Sequence, residues 1–134
     1  MATWDDVRGL VAALPDTDEH PSYDARPAWR VHHKAFVWDR PLTATDRAAL
    51  GQASPVEGEA VLGVRVTDEG VKAALIADEP AVFFTIPHFD GHAVVLLRLC
   101  QVSTEVLAEV VEDAWRARAP RRLIAEFDQL RSRH

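Results

Sequence analysis

Apolar residues recur at helical spacing at Trp4, Val7, Leu10, Val11 and Leu14, which predicts a first helix with one buried stripe. The Thr3 hydroxyl can cap its first amides, Asp5 and Asp6 suit the positive end of its dipole, and Pro15 stops it. Residues 15–25 read as an acidic loop. Pro27–Val31 and Ala35–Asp39 are short and rich in aromatic and β-branched residues, which predicts two strands joined at His32-His33-Lys34. That joint lacks the Asn-Gly signal of a tight hairpin, so its geometry stays open. Residues 41–57 hold a short helical segment, Asp46–Leu50, ended by Gly51, and a loop with Pro55 and Gly58 follows; this stretch reads as an insertion. Ala60–Val66 predicts a third strand, with Leu62, Val64 and Val66 on one face and Val61, Gly63 and Arg65 on the other. Thr67 or Asp68 caps a helix through Ala77 whose inner face is Val71, Ala74 and Leu75. Val82–Ile86 and Ala93–Val102 predict a second hairpin around residues 87–92, where Asp90-Gly91 signals a turn. Ser103 caps a long helix with an apolar face of Val106, Leu107, Val110, Val111, Ala114 and Trp115. Pro120 breaks it, and a last helix carries Leu123, Ile124, Phe127 and Leu130.

The element order is α-β-β-(α)-β-α-β-β-α-α. Sequential strands with short connections predict a mostly antiparallel, five-stranded sheet. Helices packed on one face complete a two-layer α+β sandwich. The 134 residues carry neither an internal repeat nor a linker, so residues 1–134 form a single domain. With 15 basic and 21 acidic residues the formal net charge is −6, which opposes a strongly electropositive nucleic-acid binder. The charge is unevenly placed. Between Trp115 and His134, Arg116, Arg118, Arg121, Arg122, Arg131 and Arg133 outnumber Glu126 and Asp128, leaving +4 there and −10 on the remainder. The N-terminus lacks the basic and apolar regions of a signal peptide, and no run approaches a membrane span. Cys100 is the single cysteine and is expected to be a small buried hydrophobe. These features predict a cytoplasmic chain without a membrane partner.

Candidate chemistry is sparse. His32 and His33 are adjacent, so on a strand they would face opposite ways; His88 and His92 flank a turn, and no spacing resembles a metal box. The Asp16, Asp18, Glu19, Asp24 cluster lacks the alternation and glycine of a calcium loop. Phosphate-loop, dinucleotide, nucleophile-elbow and zinc-protease motifs are all absent. The reading is therefore non-enzymatic, with no catalytic residue, metal or cofactor assigned. An enzymatic alternative would need His88 or His92 as a base in a concave pocket. Arg116, Arg118, Arg121 and Arg122 straddle Pro120, either as a patch for phosphate or carboxylate, or as partners of the helix dipole and the acidic loop. Arg30, Arg65 and Arg98 interrupt apolar strands and would make a cationic sheet face if register aligns them.

Several stretches in order carry a resemblance: Thr3-Trp4-Asp5-Asp6-Val7-Arg8, Ser22-Tyr23, Pro27-Ala28, Lys34-Ala35-Phe36, Asp78-Glu79-Pro80-Ala81-Val82-Phe83-Phe84, Pro87-His88-Phe89-Asp90-Gly91, Val95-Leu96-Leu97-Arg98-Leu99, and Trp115 through Leu123. As an ordered set they resemble the MmcQ/YjbR family over nearly the whole chain. Trp38-Asp39-Arg40-Pro41-Leu42 resembles an actinobacterial branch, which implies a bacterial source. The resemblance implies a frataxin-type sandwich and a DNA-binding role through two hairpin wings. Here the wings would be the turns at His32-His33-Lys34 and at His88 to His92. Two positions depart from the family's pattern: His33 stands where a glycine or small polar residue is frequent, and Arg121 where lysine is frequent.

The expected function is thus a DNA-binding module contacting phosphate and groove through Arg30, His32, His33, Lys34, His88, His92, Arg116, Arg118, Arg121 and Arg122. The alternative is an acidic adaptor that binds a protein or small molecule through an aromatic groove of Tyr23, Trp29, Trp38 and Trp115.

Overall fold

The computed structural model describes residues 2–22 and 25–132. Helix α1 (Trp4–Ala12) begins with a capping box, in which Thr3 accepts from the Asp6 amide and Asp6 accepts from the Thr3 amide. At its other end the Thr17 hydroxyl donates to the carbonyls of Val11 and Leu14 at 2.9 and 3.1 Å, closing the helix onto the next element. That element is strand β1 (Thr17–Pro21), followed by β2 (Pro27–Val31), β3 (Lys34–Asp39), α2 (Ala44–Leu50), β4 (Val61–Arg65) and α3 (Glu69–Asp78). Strand β5 (Phe83–Phe84), β6 (Val94–Arg98), α4 (Thr104–Arg118) and α5 (Arg121–Ser132) complete the chain. The strands form one antiparallel sheet in the order β1-β2-β3-β4-β6-β5.

The α+β sandwich is as expected, with six strands in place of five. The extra strand, β1, lies in the stretch read as an acidic loop. Its residues are exposed almost throughout, so the period-two apolar signal is missing. It is an edge strand held by charge: Arg30 forks onto Asp18 with two bonds of 2.9 Å, and Glu19 accepts from Arg8 and from the Trp29 indole, each at 2.9 Å. Charged side chains and a proline on an edge also discourage further pairing. Strands β5 and β6 are shorter than their apolar runs suggest, because residues 87–89 and 99–101 turn into single 3₁₀ turns.

The main core lies between the sheet and α1, α4 and α5. Leu62, Val64, Val95, Leu97, Val37 and Trp29 meet Val7, Val11, Leu107, Val111 and Trp115 there. A smaller cluster of Val61, Leu96 and Ile86 occupies the second face, covered by Leu42, Leu50, Phe84 and Phe89. Trp38 lies opposite Gly63 on that face, and a β-carbon at Gly63 would sit 2.4 Å from the indole. The glycine is therefore the space into which Trp38 packs. In α3 the inner face is rotated from the expected one: Val71 and Ala74 are exposed, Leu75 and Ile76 pack on the core, and Lys72 is buried. Cys100 is half-buried rather than buried.

Candidate anion-binding end of the sheet

Because neighbouring strands are antiparallel, the β2–β3 turn, the end of β4 and the β5–β6 loop emerge at the same end of the sheet. Helix α4 starts just after β6 and runs back along the sheet to that end. There the Trp115 indole donates to the Pro15 carbonyl at 3.0 Å, and the neighbouring Asp16 carbonyl accepts from the His32 amide at 3.3 Å.

The first turn is a two-residue hairpin built on histidines. His32 and His33 have φ of 48° and 67°, both left-handed, as in the mirror-image turn that usually recruits Asn-Gly. Asp16 beside them has φ of 57°, and its carboxylate lies 3.4 Å from His32 Nδ1. Left-handed backbone at side-chain-bearing residues is strained, and such strain gathers at functional sites. The second loop is no tight hairpin. Asp90 (φ −59°, ψ 130°) and Gly91 (φ 79°) form a turn that needs glycine at its second central position, closed by a 3.0 Å bond from the His92 amide to the Phe89 carbonyl. Lys72 anchors this loop, its Nζ donating to the carbonyls of Phe89 and His92 at 2.7 and 3.0 Å. No local pattern marks this lysine in the sequence, since it looks like one more exposed helix cation.

The ten residues expected to contact DNA separate by their partners. Arg30 is committed to Asp18, whose carboxyl is held below its usual range, chiefly by that hydrogen bond. Arg116 bonds Glu112 at 3.1 Å and forks onto Asp128 at 2.7 and 3.2 Å; Arg122 lies 3.6 Å from Glu126. The C-terminal arginines thus neutralise carboxylates of α4 and α5, while the acidic segment is answered by Arg8, Arg30 and His32. Lys34, Arg118 and Arg121 have no carboxylate partner among the described residues. His32, His33 and His92 are exposed, and His88, also exposed, sets its ring edge-on to Phe89 at 4.8 Å. Strand alternation places Arg30 and Arg98 on the second face, but Arg98 is forked onto Glu59 at 2.7 and 2.9 Å. Arg65, the last residue of β4, has no such partner. Its Nε and that of Arg118 are the buried side-chain polar atoms without a hydrogen bond among the described residues.

The aromatic groove does not assemble. Trp29 and Trp115 are 1% and 0% exposed and belong to the main core, and Trp38 is half-buried against Gly63. Tyr23 lies outside the described residues. Among the described residues, no three His, Cys, Asp or Glu side chains are grouped to hold a metal, and no helix is long and apolar enough to cross a membrane.

Residues 12–117 match the family model YjbR. The chain belongs to the YjbR family. It is 50% identical over 129 residues to "Uncharacterized protein Rv2570" of Mycobacterium tuberculosis strain H37Rv, covering 95% of this chain and 96% of the relative. It has the same identity and coverage with "Uncharacterized protein Mb2600" of Mycobacterium bovis. A solved structure, Deinococcus radiodurans protein DR2400 with domain DUF419, superposes with a TM-score of 0.61 at 20% identity, over 86% of this chain and 77% of that one. That likeness shows the fold of this YjbR chain.

Proposed function

We propose that this YjbR-family chain is a non-enzymatic binding module that grips the phosphate backbone of nucleic acid with one end of its sheet. The observation that carries this reading is convergence. Lys34, Arg118 and Arg121 have no carboxylate partner among the described residues; Lys34 follows the strained His32-His33 turn, and Arg118 and Arg121 flank the corner after Trp115, which is bonded to Pro15 beside that turn. Paired arginines elsewhere would have to surrender an ion pair before meeting a phosphate; these three would not. The overall charge of −6 argues for slow, weakly steered association, so contact depends on local geometry rather than on a long-range field.

The test is a fluorescence-anisotropy titration of a labelled duplex at two salt concentrations. Three phosphate contacts at a slope of about −0.9 each predict about a 40-fold loss of affinity between about 50 and 200 mM salt. Replacing Lys34 and Arg121 with alanine together should weaken binding and flatten the slope by about two. Absence of binding at the lower salt, or a slope unchanged in the double variant, overturns the reading.

A further inference from the structure

Beside this end of the sheet, a groove of about 340 Å³ runs between α3 and α4 over the end of β4. Val66, Val71, Leu75 and Val110 line it with apolar surface, and its charged members are Arg65, Asp113 and Arg116, the last already paired with Glu112 and Asp128. Two guanidinium groups of this region lack an ion-pair partner among the described residues, Arg65 in the groove's lining and Arg118 at the end of α4. Arg65 and Arg118 make no ion pair or side-chain hydrogen bond among the described residues, and each has its Nε withdrawn from water and unbonded. Buried polar nitrogens are almost always bonded, and like charges are not normally brought together without an anion between them. Partial burial lowers the Arg65 pKa first, and the charge of Arg118 lowers it further. Arg118 closes α4, the helix that walls the groove, two residues beyond the lining Arg116.

We infer that the groove is a binding site for an amphipathic organic anion, with the acid head between Arg65 and Arg118 and the apolar body along Val66, Val71, Leu75 and Val110. A single bare ion would leave the apolar wall unused. Val71 is 40% exposed as it stands, and covering it contributes favourably in proportion to the area removed from water. Asp113 gives the site a second character. The residue as a whole is exposed, yet its carboxyl is pushed above the usual range, first by partial desolvation and then by the charge of Glu112. That carboxyl tempers the site toward a singly charged head. The site shares Arg118 with the proposed phosphate-binding end, but Lys34, Arg121 and the histidine turn are not among the groove's lining residues, so the two readings separate by variant.

The probe is octanoate, titrated by two-dimensional amide NMR, with octanol, inorganic phosphate and a DNA duplex as parallel arms. Octanoate should shift the amides of residues 64–67, 71, 75 and 110 and bind more tightly than octanol. Arg65→Gln and Arg118→Gln should each weaken octanoate by about tenfold or more, the loss expected for a charge-assisted hydrogen bond. Asp113→Asn should strengthen it, and the Lys34→Ala, Arg121→Ala double variant should leave it unchanged. Val71→Glu alters an exposed position and serves as the variant least able to disturb folding; it should abolish octanoate binding. Unmoved groove amides, full affinity in Arg65→Gln, or octanol binding as tightly as octanoate overturns the inference. Inorganic phosphate matching octanoate would reduce the site to a simple ion site and overturn the amphipathic claim. A duplex that displaces octanoate from the groove amides even in the Lys34→Ala, Arg121→Ala double variant would assign the anion to nucleic-acid phosphate and overturn the small-molecule reading.

Discussion

Replacing His32-His33 with Asn-Gly should make the protein more stable. Both histidines hold left-handed backbone, with φ of 48° and 67°. A side-chain-bearing residue costs about 1–2 kcal/mol there, less for residues such as histidine and asparagine that tolerate the region better. Glycine removes the strain at the second position but loses about 0.5–1 kcal/mol to unfolded-state entropy. The His32–Asp16 contact of 3.4 Å is also lost. Both side chains are about half exposed, at 51% and 54%, so that contact contributes a few tenths of a kcal/mol at most. The balance is a gain of about 0.5 kcal/mol. At about 2.1 cal/mol/K per residue, unfolding entropy for a chain this long converts that into a rise in Tm of about 2 °C. Scanning calorimetry reads the shift directly, and the urea midpoint should rise without a change in slope. A Tm equal to or below that of the parent would refute the assignment of stored strain to this turn. If the histidines are kept for contact with a ligand, the stabilised variant should also bind duplex DNA more weakly.

Gly63→Ala would drive a methyl into the Trp38 indole, which sits 2.4 Å from the β-carbon position. Destabilisation of about 1–3 kcal/mol is expected, with a change in tryptophan fluorescence, and parent-like stability would show that Trp38 moves aside freely. Glu59→Gln tests the Arg98 fork. The hydrogen bond from Arg98 holds the Glu59 carboxyl below its usual range, so the stabilisation is complete above about pH 5 and fades as pH falls through the lowered folded value. The parent should exceed the variant by about 1–2 kcal/mol near neutral pH, and the two should converge in acid. A gap that is constant with pH would exclude this linkage.

Local chemistry made much of the fold legible. The Thr3 and Ser103 caps, the glycine after α2 and the α4 stripe of Leu107, Val110, Val111, Ala114 and Trp115 all depend on neighbours within one or two turns. Strand alternation likewise sorted Leu62 and Val64 from Val61 and Gly63. The failures share a cause. Strand β1 has no apolar period of its own and exists because Arg8, Trp29 and Arg30 supply partners from other elements. In α3, Lys72 turned inward because two loop carbonyls of the 89–92 stretch meet its ammonium.

The sequence by itself determined how many arginines the chain has, where the helices and the five apolar strands run, and that the net charge is negative. Only the tertiary structure decided which of those arginines are free. Arg98 finds Glu59 across 39 residues and Arg116 finds Asp128 across a helix corner, whereas Arg65 and Arg118 find no ion-pair partner among the described residues. Charge is a property of composition, but its neutralisation is a property of distance, and distance is set by how the sheet and helices pack.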